Sequence, residues 1–404
     1  MNPLDNSKPR FAAALSTAAE TEHAVQEVCR RAGEQLAGRA DLAFVFASSA
    51  HAEQFDRLAA VIAGELKPGC LLGCSGESIV GNDREIEQAP AVALWLASLP
   101  KATIVPMHLE FQRTPEGGTL VGWPDDLPAQ WPPGSALLML GEPFSFPAEL
   151  LLERLNEDQP GVPVLGGMAS GGHAPGQNRL LLGPRVFSEG AVGALVHGPF
   201  RLQAVVSQGC RPIGRHFVVT KAEQNVIHEI GGKPPLVQLQ ELFDTLPPED
   251  QHLVQQGLHV GIVINEYQDT FSRGDFLVRN CVGADRQTGA LAIGDYVRPG
   301  QTVQFHVRDA ATADEDLREL LGAAAGDPSA LAALMFTCNG RGTRLFDQPH
   351  HDASVVADVL GKIPLAGFFA QGEIGPVGGR NFLHGFTAST ALFLKEEGGR
   401  RKEE

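Results

Sequence analysis

Apolar and polar positions along this chain fall into blocks whose order repeats. Residues 42–47, 136–140 and 331–337 are almost wholly apolar, and each run leads through a polar loop into a stretch with apolar residues three and four apart. The runs predict strands and the stretches predict helices. In the first block Phe55, Leu58, Ala59, Ile62 and Leu66 form one stripe over 53–66, stopped by Pro68 and Gly69. The other two blocks predict helices over 147–156, with Pro147 near the first turn, and over 353–360, with Asp352 as a natural cap. Each helix delivers the chain to a second apolar run that ends in a glycine-rich loop. These are GCLLGCSGESIVG at 69–81, GVPVLGGMASGG at 161–172 and IPLAGFFAQGEIGPVGG at 363–379. The unit of strand, helix, strand, glycine loop and further strand therefore recurs three times.

The fold class this predicts is mixed α+β (α/β), with the repeated units forming mixed sheets flanked by helices. A helix over 16–36 carries Ala24, Val25, Val28, Cys29, Ala32 and Leu36 on one face, and further strands are expected at 89–99, 102–109, 190–197 and 202–207. The proline-, glycine- and acid-rich stretch 112–134 reads as a connector, and 212–235, ending in GGKPP, reads as a junction. Beyond it come a helix through Leu236, Leu239, Leu242, Phe243 and Leu246, then strands at 259–265, 275–282, 290–295 and 301–308, and a short acidic helix over 313–321. At 404 residues two domains are expected, 16–230 and 231–395. The first holds repeats 16–111 and 135–211, the second holds repeat 330–395, and 1–15 and 396–404 are expected to be disordered ends.

Charge narrows the partners. Acidic residues outnumber basic ones, 48 to 32, for a formal charge of −16, and basic residues are not gathered into a patch. Such a surface repels a phosphate backbone and an anionic bilayer, so neither nucleic acid nor membrane is expected as a partner. No apolar run reaches the roughly 18 residues of a membrane helix and the first residues lack the apolar core of a secretion signal, which predicts a cytosolic protein. The six cysteines, Cys29, Cys70, Cys74, Cys210, Cys281 and Cys338, show no CxxC spacing and read as free thiols.

The glycine loops are the first candidate site. Backbone amides without neighbouring side chains can approach a ligand closely, although tight turns also call for glycine. None of the loops has GxGxxG or GKS/GKT, so nucleotide binding is unsupported. Ser75, Gly76 and Glu77, Ser170 and Gly171, and Gln371, Gly372 and Glu373 occupy comparable loop positions. Glu77 and Glu373 on one cleft would suit the ammonium of an amino acid or amine. The third unit adds Cys338, Asn339, Arg341 and Gly342 directly after an apolar strand, then His350 and His351. Arg341 beside Cys338 with a nearby histidine would permit a thiolate nucleophile, an enzymatic alternative to plain ligand contact.

Together LLGCSGESIVG, VPVLGGMASGG, VVSQGCRPIG, GDFLVRN with GQTVQFHVRDA, LMFTCNGRG, PLAGFFAQGEIGPVGG and NFLHGFTAST resemble the FIST family, named from F-box and intracellular signal-transduction proteins. The likeness runs over about residues 42–393. It implies amino- and carboxy-terminal FIST domains and a sensory protein that binds small ligands such as amino acids. It places the GRG motif at 340–342 and GEIGP at 372–376 on the binding surface, with no settled catalytic residues. Some bacterial members look like haem-dependent nitric-oxide sensors, and on that reading His384, His306 or His350 would be the axial ligand. Kinase, cyclase, receptor and F-box segments joined to FIST domains elsewhere are absent here, so a separate signalling partner is expected.

Overall fold

The computed structural model describes residues 8–115, 117–268, 270–326 and 330–395. The chain forms two compact units. Of the described residues, one comprises those to 206, those of Leu317–Leu383 and those from 387 to 395; the other comprises those of Ser207–Asp316 with His384–Phe386. The carboxy-terminal crossover belongs to the same compact unit as the two amino-terminal ones.

In the larger unit three strand–helix–strand crossovers pair their strands in parallel. They are Leu42–Ser48, Phe55–Glu65 and Cys70–Gly76; Ala136–Gly141, Ala148–Asp158 and Val164–Met168; and Ala330–Cys338, His351–Leu360 and Leu365–Ala370. Each crossover is the centre of its own sheet, extended on the first-strand side by an antiparallel neighbour: Val92–Ser98, Ala191–His197 and Thr387–Lys395 respectively. Both faces of these strands are covered. Phe44 and Phe46, Leu138 and Leu140, and Leu334 and Phe336 point into one core shared by the three sheets. Their alternate neighbours, such as Val45, Met139 and Met335, lie in three separate clusters with the stripes of the flanking helices. A strand covered on both faces has no polar positions to alternate with, which is why these runs are continuously apolar.

The chain changes sheet at each glycine loop. After the first loop the hairpin Ile79–Gly81 and Arg84–Ile86 joins Leu365–Ala370 of the third sheet. After the second, Leu180–Leu182 and Arg185–Phe187 join Cys70–Gly76 of the first. After the third, Glu373–Val377 and Arg380–His384 join Val164–Met168 of the second. Each sheet is thus completed by a hairpin from another crossover.

Several elements differ from expectation for identifiable reasons. Arg10–Ser16, within the start expected to be frayed, is a buried strand beside Val92–Ser98. The connector begins with a hairpin, Thr103–Thr114 against Gly117–Val121. The expected junction 212–235 holds the strands Cys210–Glu223 and Val226–Ile230, and a register shift between Ile213 and Phe217 absorbs the interruption by Gly214. These two strands close a barrel in the smaller unit with Leu291–Ile293, Phe276–Ala284, Leu258–Val263 and Thr302–Arg308. Its interior is filled by Ile213, Phe217, Val260, Ile262, Val303 and Phe305 among others. The tail 396–404 lies outside the described residues.

Candidate functional site

Because every loop is a sheet-to-sheet transfer, the three loops meet at the carboxyl ends of the parallel strands. The Ser75 carbonyl accepts the Ser170 N–H at 3.1 Å, and the Ser170 hydroxyl accepts the Glu77 N–H at 2.9 Å while donating to the Phe369 carbonyl. The Gln371 N–H donates to the Met168 carbonyl at 3.0 Å, and the Met168 N–H to the Gly372 carbonyl at 2.8 Å. The Asn339 N–H reaches the Ala370 carbonyl at 3.0 Å. The loops are packed on one another closely enough to require glycine: a Cβ on Gly171 would stand 2.8 Å from that of Ser75, and one on Gly76 2.9 Å from that of Phe368. Gly342, at φ +60°, lies under the Phe369 ring, where a Cβ would come within 2.7 Å.

The residues singled out in sequence are therefore brought together, but in two layers. The outer layer holds half-buried Glu77, Gly171, Cys338, Asn339 and Gly372 with exposed Gln371. The Glu77 carboxylate pairs with Arg344, whose guanidinium also donates to the Asn339 carbonyl at 2.8 Å. The Cys338 sulfur accepts the Gly340 N–H at 3.4 Å.

The inner layer is a buried polar cluster around Arg341. Its guanidinium donates through Nε and Nη2 to the two carboxylate oxygens of Asp352, at 2.7 and 2.8 Å, and both side chains are wholly buried. The Thr337 hydroxyl donates to Asp352 at 2.6 Å, and His351 Nδ1 lies 2.9 Å from its other oxygen. Phe346 stacks on His351 with centroids 3.4 Å apart, and the Arg341 guanidinium lies over the same ring. Asp352 is thus not the helix cap expected: the helix starts at His351, and no side chain caps it. Burial alone would raise the Asp352 carboxyl, but the Arg341 charge and hydrogen bonds outweigh it and hold the group well below the usual carboxylate range.

Two further buried carboxyls surround the pair. Burial, with the Asp352 charge added, pushes Glu85 up to about 8, although its Oε1 accepts the Ala353 N–H at 2.9 Å. Burial likewise pushes Glu373 up to about 8; its Oε2 accepts the Thr387 N–H and hydroxyl at 3.0 and 2.9 Å. Glu373 is thus wholly buried and pushed toward its protonated form, whereas Glu77 lies half-buried in the outer layer and pairs with Arg344. Sequence reasoning did not single out Glu85, which arrives on a hairpin borrowed from another crossover.

The unpaired atoms of this cluster indicate what it offers. Arg341 Nη1, Asn339 Oδ1, Glu85 Oε2 and Glu373 Oε1 are buried without a hydrogen-bond partner. The set combines a guanidinium donor, suited to a carboxylate or carbonyl oxygen, with an amide acceptor, and burial biases the two glutamates toward their donating, protonated form. The unfolded Glu373 titrates near 4.5 and the folded one near 8, so stability should fall as pH rises through that interval. Glu373→Gln, which keeps the shape without an ionisable proton, is expected to flatten part of that fall in thermal midpoint; an unchanged slope would mean that Glu373 is ionised in the folded protein.

The histidines considered as haem ligands lie in different surroundings. His306 is 1% exposed, bonds the Gln304 carbonyl through Nδ1, and is enclosed by Phe276 at 4.9 Å and by Gly261, where even a Cβ would be 2.4 Å from the ring. No face of it is open to a porphyrin. His350 Nδ1 accepts the Glu85 N–H at 3.1 Å, and His384 is 4% exposed.

Comparison with known proteins agrees with this architecture. The FIST N domain matches residues 41–233 and the FIST C domain matches residues 237–376. The chain belongs to the FIST family. Two relatives extend over nearly all of it: an uncharacterized protein of Mycobacterium tuberculosis, 47% identical over 95% of this chain and 100% of its own length, and one of Mycobacterium bovis, 43% identical over 96% and 99%. FIST domains are signal-transduction sensor domains, and among the described residues no helix is long and apolar enough to cross a membrane. The FIST N match runs past the larger unit into the first barrel strands, so the loop cluster is assembled from segments of both family domains.

Proposed function

We propose that this chain is a stand-alone cytosolic FIST sensor that binds a small polar metabolite, of amino-acid or related type, at the meeting point of the three loops. The crossovers are then three copies of one unit, and the site is the place where the copies exchange hairpins. The observation that carries this reading is the unpaired Arg341 Nη1 and Asn339 Oδ1 beneath a half-exposed rim of Cys338, Asn339 and Gly340. A donor from a wholly buried guanidinium with no acceptor costs about 1–3 kcal/mol, which a ligand carboxylate recovers. On this reading output passes to a separate protein.

The enzymatic alternative is less well supported. The imidazoles nearest in sequence to Cys338 are engaged, His350 by the Glu85 amide and His351 by Asp352. A thermal-shift screen of amino acids and related acids tests the sensor reading. At least one compound should raise the unfolding midpoint, by an amount corresponding to about 2.7 kcal/mol at a hundredfold excess over Kd. The shift should be lost in Asn339→Ala. No stabilisation by any compound would overturn the reading.

A further inference from the structure

An opening lies at the end of the second sheet away from the loop cluster, where the strand Ala136–Gly141 begins and Ala191–His197 ends. It is a cleft of about 620 Å³, lined by residues 130–136 of the proline-rich segment and by residues 159–163, 197, 198 and 200–202. Its size lies within the range of small-molecule sites. The segment is fixed in place by Gln159, 7% exposed, whose amide oxygen accepts the Trp131 N–H at 3.0 Å and whose nitrogen donates to the Ala129 carbonyl at 2.8 Å. Trp131 is thereby held as one apolar wall, with Phe200 as another.

Two buried polar atoms at this cleft are unsatisfied, on Ser135 and His197. Val196 pairs with Ala136, so the antiparallel register sets His197 opposite Ser135. Ser135 is 3% exposed and its hydroxyl has no partner; His197 Nδ1 is likewise buried without one. Arg201 stands at the same cleft, and no acidic residue lines it, in a chain carrying a net charge of −16. An unpaired hydroxyl, an unpaired imidazole nitrogen and a guanidinium beside aromatic and proline walls match one ligand chemistry. We infer that this cleft binds an organic carboxylic acid with an apolar body, its carboxylate on Ser135, His197 and Arg201 and its body against Trp131 and Phe200. The site is separate from the loop cluster and does not depend on what binds there.

The test uses the full chain with phenylacetate, 4-phenylbutyrate and octanoate as ligands and phenylethanol and octanol as uncharged counterparts. Binding is read by tryptophan fluorescence and by unfolding midpoint. The acids should bind saturably and the alcohols weakly; Trp131→Phe should remove the fluorescence response while the midpoint shift remains. Arg201→Gln and Ser135→Ala should each weaken acid binding about tenfold, as expected for loss of a charge-assisted hydrogen bond, whereas Asn339→Ala should leave it unchanged. Equal binding of acids and alcohols, no saturable binding, or affinity unaffected by Arg201→Gln and Ser135→Ala would overturn the inference.

Discussion

Asp352→Ala is expected to destabilise the larger unit by about 3–5 kcal/mol, the loss typical of a buried ion pair deprived of one partner. The Arg341 guanidinium is 0% exposed, and among the described residues Asp352 is the carboxylate it bonds. The substitution also strips the acceptor from the Thr337 hydroxyl and from His351. Glu85 would respond in the opposite sense, because a like charge that keeps it protonated disappears, and its ionisation would supply only a partial replacement. Asp352→Asn should fall between, since it retains acceptors without the charge. Removing both charges, as Arg341→Met with Asp352→Leu, should recover much of the loss, because the desolvation of two ions is avoided. Urea unfolding followed by circular dichroism measures all four proteins. A loss below about 1 kcal/mol for Asp352→Ala would be the value of an exposed pair and would contradict the burial described here.

The contrast between this pair and its sequence context shows what can be read from the chain alone. The three crossovers were legible because strands covered on both faces are continuous apolar runs and their helices carry one stripe, as Phe55, Leu58 and Ile62 do. The barrel strand Cys210–Glu223 was not, because Pro212 and Gly214 interrupt it and the bulge that accommodates them is a tertiary event. Pairing between sheets was also hidden. The hairpin carrying Glu85 lies more than 260 residues from the His350 and Ala353 it contacts, and no local pattern encodes that distance. Arg341 was visible by its motif, but Asp352 was read through the commonest local role of aspartate before a helix. Local grammar assigns a cap to any such residue; only the fold shows that the carboxylate turns inward to a guanidinium eleven residues away.

Gly367→Ala is expected to cost more than about 4 kcal/mol or to prevent folding, a size reserved for changes with a specific structural cause. The cause is a backbone collision. A Cβ on Gly367 would stand 1.8 Å from the Met335 carbonyl oxygen of the parallel partner strand, and backbone cannot move aside as a side-chain end can. Relief requires parting the strands that carry Phe336 and Phe368 into the shared core. The same relation recurs in the other crossovers, with Gly166 against the Met139 carbonyl at 1.7 Å and Gly73 against the Val45 carbonyl at 2.4 Å. Gly166→Ala should be comparably severe. Gly322→Ala is the control: it lies exposed in the helix Ala310–Ala324 with nothing near its Cβ position, and should stabilise by about 0.5–1 kcal/mol. Soluble yield and urea midpoints of the three variants decide the matter, and a Gly367→Ala protein within about 1 kcal/mol of the parent would refute the collision. If the expected order holds, glycine in these second strands is required by the close approach of two backbones.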